Sequence, residues 1–502
     1  PDARGPCRLC HIIQGGDYGY RFRCGRKGLH PFTSWNGELP GTLPMAGGTS
    51  EAPSGVIACD FAAMPKDYAG KLLVTSWGDH TIEAFTLTPR GASVSATPKV
   101  IVRGDENFRP VGFAIAPDGS ILVSDWVDKS YPVHGKGRIW RLRSKTFSGK
   151  PKVPVSPIPA RSEAQWHALA KSSKSPAERM EALLHLQSLE FTREFLPLLG
   201  DEDPFLVSAA LTALGRVGNV ASLRDAASAK PQARVRLGIL LALRKSGEVA
   251  ARLEIPRFLS DDDPEVRRAA IQWVAEEKIK EHAGLLRAAA IKSPSSAGLL
   301  ASLGMANTML SDRKMGSPAE EADHAIAFNF LVPDDVPPEI RAIALRMLPP
   351  DHKMIHPGML ERYVRGDNEF GLECVRTARL RRDPRALSAL IDTIAFNSNP
   401  EHRLAAVAGI SGFTDTDRAQ QELLRLLDDP MLRKEALRSL RGVTKQADAI
   451  VKWWDGHRAA TEDPLKIDRE LLQEYQTTLR SLKLLPDEKP PTKEEWRAYL
   501  KD

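Results

Sequence analysis

Apolar residues in the first third of the chain come in short β-branched or alternating runs that are separated by turn residues. Such runs predict strands whose side chains alternate between two faces. Between two of them lies the segment Ala116–Ser120, in which Pro117 presets one turn dihedral and Gly119 tolerates a positive φ, so we predict a hairpin turn there. The predicted strands are 18–23, 71–76, 81–87, 99–103, 112–116, 120–125 and 137–142.

The pattern changes to helical periodicity after a proline-rich segment at 149–160. The helical part carries a repeat of about 30 residues, in which a proline is followed three positions later by an arginine and then by small and apolar residues. Proline is tolerated in the first helical turn, and a preceding aspartate such as Asp263 caps the same end. Such repeats bury their apolar faces by stacking on their neighbours. The clearest copies begin at Pro264, Pro338, Pro400 and Pro430, and weaker copies begin at Pro176, Pro204, Ala233, Pro294 and Asn368.

These patterns predict a β + α multidomain protein, with a partial β-propeller followed by a HEAT-like α-solenoid. Blades of about 40–45 residues divide 1–148 into about three, and a closed ring needs about four to eight. Either the chain is a fragment whose earlier blades precede it, which we favour, or the sheets close in another way. We predict a proline-rich linker at 149–160, helical repeats at 161–450, and a helical cap and linker at 451–502. One long interval predicts an insertion or a longer helix pair at 305–333.

Composition and charge remove several classes of function. The 502 residues are 42% hydrophobic and 27% charged, and 70 Lys and Arg against 64 Asp and Glu leave a net charge of +6. The basic residues are interleaved with acidic ones, so we predict no nucleic-acid partner. No apolar run approaches the roughly 18 residues of a membrane helix, and we predict no membrane-spanning segment in this chain. The odd number of cysteines, 5, does not predict a disulfide framework.

The most specific motif is CxxCH, formed by Cys7, Cys10 and His11. This spacing suits two thioether bonds from the cysteines to haem c and an iron bond from the histidine. The residues that follow, from Ile12 onward, are typical of β-turns and strands rather than of a small helical cytochrome. The alternative is a chance match in a loop of the sheets, and we favour this alternative.

A second group consists of His80, Arg109 and His134, which lie in loops next to predicted strands. Loops of successive blades meet on the end face of a propeller. A dehydrogenase needs a base to accept the hydroxyl proton and cations to hold an anionic cofactor, and these residue types supply both. The alternative is that neighbouring residues such as Asp118 and Asp125 join the blades through hydrogen bonds. The repeated arginines of the helical part likewise suit either an acidic partner or ion pairs between repeats, and we favour the ion pairs.

Seven segments of the front part carry a resemblance to a known family, and they are 15–23, 35–42, 52–55, 108–111, 117–119, 124–126 and 137–141. They resemble the C-terminal blades of the PVC-type haem-binding CxxCH proteins, a family also described as membrane-bound dehydrogenases. The resemblance covers about residues 5–143 and is only architectural afterwards. It implies a propeller similar to those of sorbosone and soluble glucose dehydrogenases, then HEAT-like repeats, then a C-terminal cytochrome c domain with its own CxxCH.

The resemblance implies an exported, redox-linked dehydrogenase-like protein. The propeller would be its substrate and cofactor side, and the solenoid a spacer to a cytochrome c domain beyond this chain. It further implies haem c in that domain, a quinone cofactor such as PQQ with calcium, a sugar substrate, a redox or protein partner on the solenoid, and a periplasmic or other extracytoplasmic location with membrane association. In the family, the segment that matches Cys7–His11 is the start of a strand, and the position of Cys10 is variable. Because the early blades, where a catalytic base would be sought, are not in this chain, no catalytic residue can be carried over. The second hypothesis is a non-enzymatic propeller and HEAT scaffold that binds proteins or glycans.

Overall fold

In the computed structural model, the front part of the chain forms antiparallel sheets and the remainder forms helices, which confirms the predicted order of the two parts. The residues described are 7–19, 31–130, 132–145, 160–188, 193–216, 219–311, 326–333, 335–460 and 468–486. Most of the predicted strand 18–23 and nearly all of the predicted linker 149–160 lie outside them. Within these ranges, no helix combines the length and the apolar composition that crossing a bilayer requires.

The described part of the chain contains nine strands, which are β1 (Cys7–Leu9), β2 (Gly47–Thr49), β3 (Pro53–Ala58), β4 (Leu72–Ser76), β5 (Thr81–Arg90), β6 (Ser93–Arg103), β7 (Pro110–Ile115), β8 (Ile121–Asp125) and β9 (Arg138–Leu142). They form a two-stranded sheet of β1 and β2, a four-stranded sheet in the order β3–β4–β5–β6, and a three-stranded sheet in the order β7–β8–β9. Each predicted run from 71 to 142 overlaps one of β4 to β9, whereas β1, β2 and β3 are not predicted by the pattern.

The predicted hairpin turn joins β7 to β8. The amide of Gly119 donates to the Ala116 carbonyl at 2.8 Å, and the amide of Ala116 donates to the Ser120 carbonyl at 2.8 Å. Gly119 has φ +80°, which a residue with a Cβ adopts only under strain. The Asp118 carboxylate accepts from the Ser120 hydroxyl at 2.6 Å. Asp118 therefore stabilises its own turn and makes no hydrogen bond to the neighbouring sheet among those described here.

The four-stranded and three-stranded sheets pack side by side through β3 and β7. A Cβ on Gly55 would lie 2.7 Å from the Val111 carbonyl oxygen and 2.9 Å from the Cα of Gly112, so glycine is required for this approach. The Thr75 hydroxyl donates across the same gap to the Val111 carbonyl at 3.2 Å. Buried apolar side chains of both sheets, among them Leu73 and Ile121, form one core between them.

Eighteen α-helices follow in the described residues, and they are α1 (Glu163–Ser172), α2 (Pro176–His185), α3 (Pro204–Leu214), α4 (Val220–Ser228), α5 (Ala233–Ser246), α6 (Ile255–Leu259), α7 (Pro264–Glu276), α8 (Leu286–Ile291), α9 (Ala297–Leu310), α10 (Pro338–Met347), α11 (Pro357–Tyr363), α12 (Glu369–Arg381), α13 (Pro384–Phe396), α14 (Pro400–Ile410), α15 (Asp417–Arg425), α16 (Arg433–Ser439), α17 (Ala447–Ala459) and α18 (Arg469–Ser481). The predicted insertion at 305–333 contains the end of α9 and a π-helical turn at Ala327–Leu331. The part between these two elements lies outside the described residues.

Helix starts follow the predicted proline positions because the capping chemistry is local. Asp263 accepts from the amides of Glu265 at 2.9 Å and Val266 at 3.1 Å, next to the proline that opens α7. Two anchors precede their helices by three residues, since α16 begins at Arg433 rather than at Pro430 and α9 at 297 rather than at 294.

The chain divides into two compact units, of which the first is Pro1–Ala289 with Met309–Ser311 and the second is Ala290–Thr308 with Asp312–Asp502. Inside the first unit, α2 packs on α3, α3 on α5, and α5 on α7. Inside the second unit, α10, α12, α14, α16 and α18 pack one on the next, and α11 packs on α13. Each unit thus contains a layer of packed helices, and most of these are every second helix along the chain. In the predicted cap, Trp454 of α17 stacks on Tyr475 of α18 at 4.2 Å between ring centroids.

The repeated arginines of the helical part make internal contacts. Arg267 is fully buried and donates to the carbonyls of Asp261 at 2.7 Å and Ala289 at 2.8 Å. The Arg403 guanidinium lies 3.2 Å from the Asp429 carboxylate, one repeat further along the chain. The Arg403 contact is an ion pair between neighbouring repeats, whereas Arg267 binds backbone carbonyls within its own repeat and in the loop before it.

Candidate functional site

The loops after β4, β6 and β8 meet at one place beside the four-stranded and three-stranded sheets. In the first loop, His80 Nδ1 lies 2.9 Å from the Phe108 carbonyl oxygen of the second loop. Arg109 Nη1 donates to the Trp77 carbonyl at 3.1 Å, and the amide of Trp126 in the third loop donates to the Arg109 carbonyl at 2.9 Å. The backbone and side chains of His80 and Arg109 thereby hold these loops together.

The Arg109 side chain is turned inward against a tryptophan. Arg109 is 6% exposed, and its guanidinium carbon lies 4.5 Å from the centroid of the Trp77 ring, which is a cation–π contact. Its Nε is buried and has no hydrogen-bond partner among the described residues. An anionic cofactor would therefore have to displace the Trp77 contacts before it met most of this guanidinium.

The two histidines occupy different environments. His80 has φ +59°, and the contact of its Nδ1 with a carbonyl oxygen requires the proton on Nδ1, which leaves the lone pair on Nε2. The His134 ring packs edge-on against Trp126 at 4.9 Å between centroids, and its Nδ1 accepts from the Lys136 amide at 3.0 Å. The His134 Nε2 is buried without a described partner. His134 thus packs within its own loop.

Asp125, at the end of β8, accepts four hydrogen bonds at its two oxygens. Oδ1 accepts from the amides of Arg109 at 2.8 Å and Val127 at 2.9 Å, and Oδ2 accepts from Trp140 Nε1 at 2.8 Å and Arg138 Nη2 at 3.1 Å. The residue is 3% exposed. Asp125 therefore joins the loop before β7 to β8 and β9, so its hydrogen bonds hold one sheet together and do not join it to the neighbouring sheet.

A cleft opens beside β9, between the end of the four-stranded sheet and the three-stranded sheet. It has a volume of about 370 Å³, and its walls include Val102, Phe108, Trp140 and Leu142. Arg138 also lines it, with its guanidinium carbon 5.0 Å from the Trp140 ring centroid. We call this space the β9 cleft. It is a mainly apolar groove whose charged lining residues are Arg138, Arg141 and the acidic Asp105.

The CxxCH residues lie on a strand rather than on a helix. β1 pairs antiparallel with β2, with Cys7 opposite Thr49, and Cys10 follows the last residue of the strand. Residues three apart in an extended chain are separated by about 10 Å and point to opposite faces. Burial raises the pKa of the Cys10 thiol, and the charge of Arg8 lowers it by a smaller amount. The placement differs from the single helical turn on which both thiols would reach one haem.

His11 is part of the contact between the sheets and the first helices. Its ring stacks on Phe205 of α3 at 5.3 Å between centroids and 19° between planes, and its Nδ1 lies 3.0 Å from the Ser93 hydroxyl. Burial lowers the pKa of His11, because the imidazolium loses hydration there. Ile13 enters the core formed with α1 and α2 residues such as Trp166. The motif therefore anchors the front part of the chain on the helices.

The tip of the β5–β6 hairpin docks on the start of α3. The Asp203 carboxylate caps this helix by accepting from the amide of Phe205 at 2.9 Å, and it also accepts from the amide of Ala92 at 2.5 Å. Gly91 has φ +57°, and a Cβ there would overlap the Asp203 carboxylate. We call the contacts of His11, Ser93, Ala92, Asp203 and Phe205 the sheet–helix contact.

The residues as placed do not fit covalent haem attachment, since the thiols lie on extended chain and the His11 ring is stacked and half-buried. For a quinone with calcium, His80 offers Nε2 and Arg109 offers Nε. In the described ranges, no three His, Cys, Asp or Glu side chains lie together as a metal site requires. We derive no chemical step through either group, and both cofactors stay predictions.

Sequence reasoning did not identify the roles of Trp140, Arg138 and Phe205. The sequence offers one indication of these roles, because β9 carries basic and aromatic residues and the strand before it ends in an acidic residue. The pairing of β8 with β9 was needed to show that these residues contact Asp125. No protein-family model matches the chain, and no curated protein matches it.

Proposed function

We propose that this protein is a non-enzymatic binding scaffold, in which the sheets are consecutive blades of a β-propeller and the helices form a HEAT-like solenoid. The blade interpretation is supported by the sequential order of strands within each sheet and by the close approach of β3 to β7 at Gly55. The solenoid interpretation is supported by the layers of alternate helices in each unit and by the ion pair of Arg403 with Asp429, one repeat further along the chain.

One observation carries the proposal: most of the side chains that the sequence offered for chemistry are engaged in internal contacts. Arg109 packs on Trp77, His134 packs on Trp126, and His11 stacks on Phe205. Groups that join elements are held in place by those contacts, whereas a catalytic base or cofactor ligand must face the reacting molecule. These polar groups thus make the protein rigid, and a rigid surface suits binding.

The proposal is tested by an activity assay on the full chain with a matched variant. We expect no reduction of a dye acceptor with aldose or alcohol substrates, with or without added PQQ and Ca²⁺. His80→Asn is the informative variant, because asparagine tolerates the positive φ and its amide can donate to the Phe108 carbonyl. Turnover in the wild type that His80→Asn abolishes, with the fold kept by circular dichroism, would overturn the scaffold proposal in favour of the dehydrogenase.

The redox-linked dehydrogenase remains the second proposal, and the observation that favours it is the contact of His80 Nδ1 with the Phe108 carbonyl, which leaves Nε2 out of that contact. In that account His80 accepts the substrate proton, while the helical part spaces the sheets from a cytochrome c domain on the same polypeptide. The assay above separates the two proposals, since only the dehydrogenase needs the His80 imidazole.

A further inference from the structure

We propose that the outer edge of β9 binds an extended acidic peptide, which adds to the β7–β8–β9 sheet as a fourth strand. The inference rests on the proposed binding function and names the partner's chemistry. β9 is the last strand of its sheet, and no other described strand pairs with its outer edge, whereas the neighbouring sheet has four strands. An unpaired edge offers a row of backbone donors and acceptors that an incoming strand can use.

The exposure of β9 fits an uncovered interaction surface. Ile139 is 73% exposed and Trp140 is 45% exposed, although both are large apolar residues in a strand. In β9, residues 138, 140 and 142 share one face, and 139 and 141 share the other. The first of these faces borders the β9 cleft, with Trp140 and Leu142 on its wall. Apolar side chains of an added strand would lie over this cleft.

The charge of β9 selects an acidic partner over a second copy of this chain. Residues 136–145 contain Lys136, Arg138, Arg141, Arg143 and Lys145 and no acidic residue. Lys136 is already paired with Asp128 and Arg138 with Asp125, so the charge argument rests on Arg141 and Arg143. Two antiparallel β9 edges would bring two such cationic segments together, which is unfavourable. The existing ion pair of Arg141 is weak, since its Nη1 lies 3.9 Å from the Asp118 carboxylate and both side chains are more than half exposed. A glutamate opposite Arg141 is therefore not excluded by an internal pair.

The other long edge strand of the front part is protected. The amide of Ala96 in β6 donates to the Ala46 carbonyl at 2.8 Å, so the start of that edge is covered. Pro98 lies in the middle of β6 and cannot donate a ladder hydrogen bond. β9 has neither protection. The structure therefore assigns strand addition to β9, and the register predicts a partner that alternates apolar and acidic residues.

The test measures binding of a fluorescent peptide of about eight residues, alternating valine and glutamate, to the full chain by anisotropy. Two further peptides carry N-methyl groups on all the valines or on all the glutamates. Because alternate amides of an added strand face β9, we expect one methylated peptide to bind and the other to fail. Equal binding of both would show attraction by charge alone and would overturn the proposal, as would the absence of binding by the parent peptide.

The variants test the location and the sign of the charge. Arg141→Glu with Arg143→Glu should weaken binding by about tenfold or more and should allow a valine–lysine peptide to bind instead. The matched control is Lys99→Glu, an exposed change on β6, which should leave the affinity unchanged. Circular dichroism confirms that the variants fold. Slow hydrogen exchange of all β9 amides in the free chain would mean that the edge is already paired, and would overturn the proposal without bearing on the dehydrogenase assay.

Discussion

Replacement of Asp125 by asparagine keeps the size of the side chain but leaves one acceptor oxygen for four donors. If that oxygen keeps the two backbone amides, the new amide group faces Trp140 Nε1 and Arg138 Nη2, which are themselves donors. A hydrogen bond to a charged group contributes about 1.5–3 kcal/mol. Because the Arg138 side chain is 43% exposed, water replaces part of its loss. We therefore expect the three-stranded sheet to be destabilised by about 2–4 kcal/mol.

Hydrogen exchange followed by mass spectrometry is the suitable assay, since it reports local opening of one sheet. A loss of 2–4 kcal/mol corresponds to amide exchange that is about 30-fold to 900-fold faster in peptides covering β7 to β9. Exchange in the helices of the second unit should stay unchanged. The control is Asp128→Asn, which changes a partly exposed carboxylate that pairs with Lys136 and accepts from the Ser130 amide. If Asp125→Asn is no more harmful than this control, the reasoning about the four donors is refuted.

Three further predictions concern packing, ion pairs and pH. Gly55→Ala should lower stability by about 1–3 kcal/mol in urea unfolding, whereas Gly284→Ala, with no atom within 4 Å of the new Cβ, should be neutral. Arg236→Lys should cost about 1–2 kcal/mol, because it loses a two-pronged pair with Asp261 at 2.7 Å for each bond; Arg234→Lys, in an exposed pair, should have no measurable effect. Burial lowers the pKa of His11 in the folded protein below its ordinary value of 6.5, so the unfolded chain binds the proton first as the pH falls. The free energy of unfolding should therefore be highest above about pH 6.5 and decrease below it. His11→Phe should reduce this acid-side loss in unfolding midpoints; an identical pH profile would contradict the burial argument.

Local chemistry explains why part of this fold could be predicted from the sequence. The aspartate and proline at 263 and 264 cap and open α7 through contacts within three residues, and the Ala116–Ser120 turn closes on itself. β2 and β3 were missed because Gly47–Thr49 and Pro53–Ala58 lack a run of alternating apolar residues. Their extended form depends on partner strands elsewhere in the chain, which local patterns do not encode.

The candidate site likewise has features that the sequence predicts and features that depend on contacts between distant segments. CxxCH is a local pattern, but the environment of His11 is decided by Ser93 and Phe205, which are distant in sequence. Asp203 is recognisable as a helix cap, but its second role, as an acceptor for the Ala92 amide, depends on how the hairpin docks. Residue types thus indicated which side chains matter, while their roles followed from contacts between distant segments.

The scaffold account depends most directly on whether His11 serves the sheet–helix contact or binds haem together with Cys7 and Cys10. The decisive measurement is the absorption spectrum, with haem staining after denaturing electrophoresis, of the full chain made in cells that express the c-type haem attachment machinery. The account predicts no Soret band and no stained protein. A covalently bound haem that Cys10→Ala removes would contradict it.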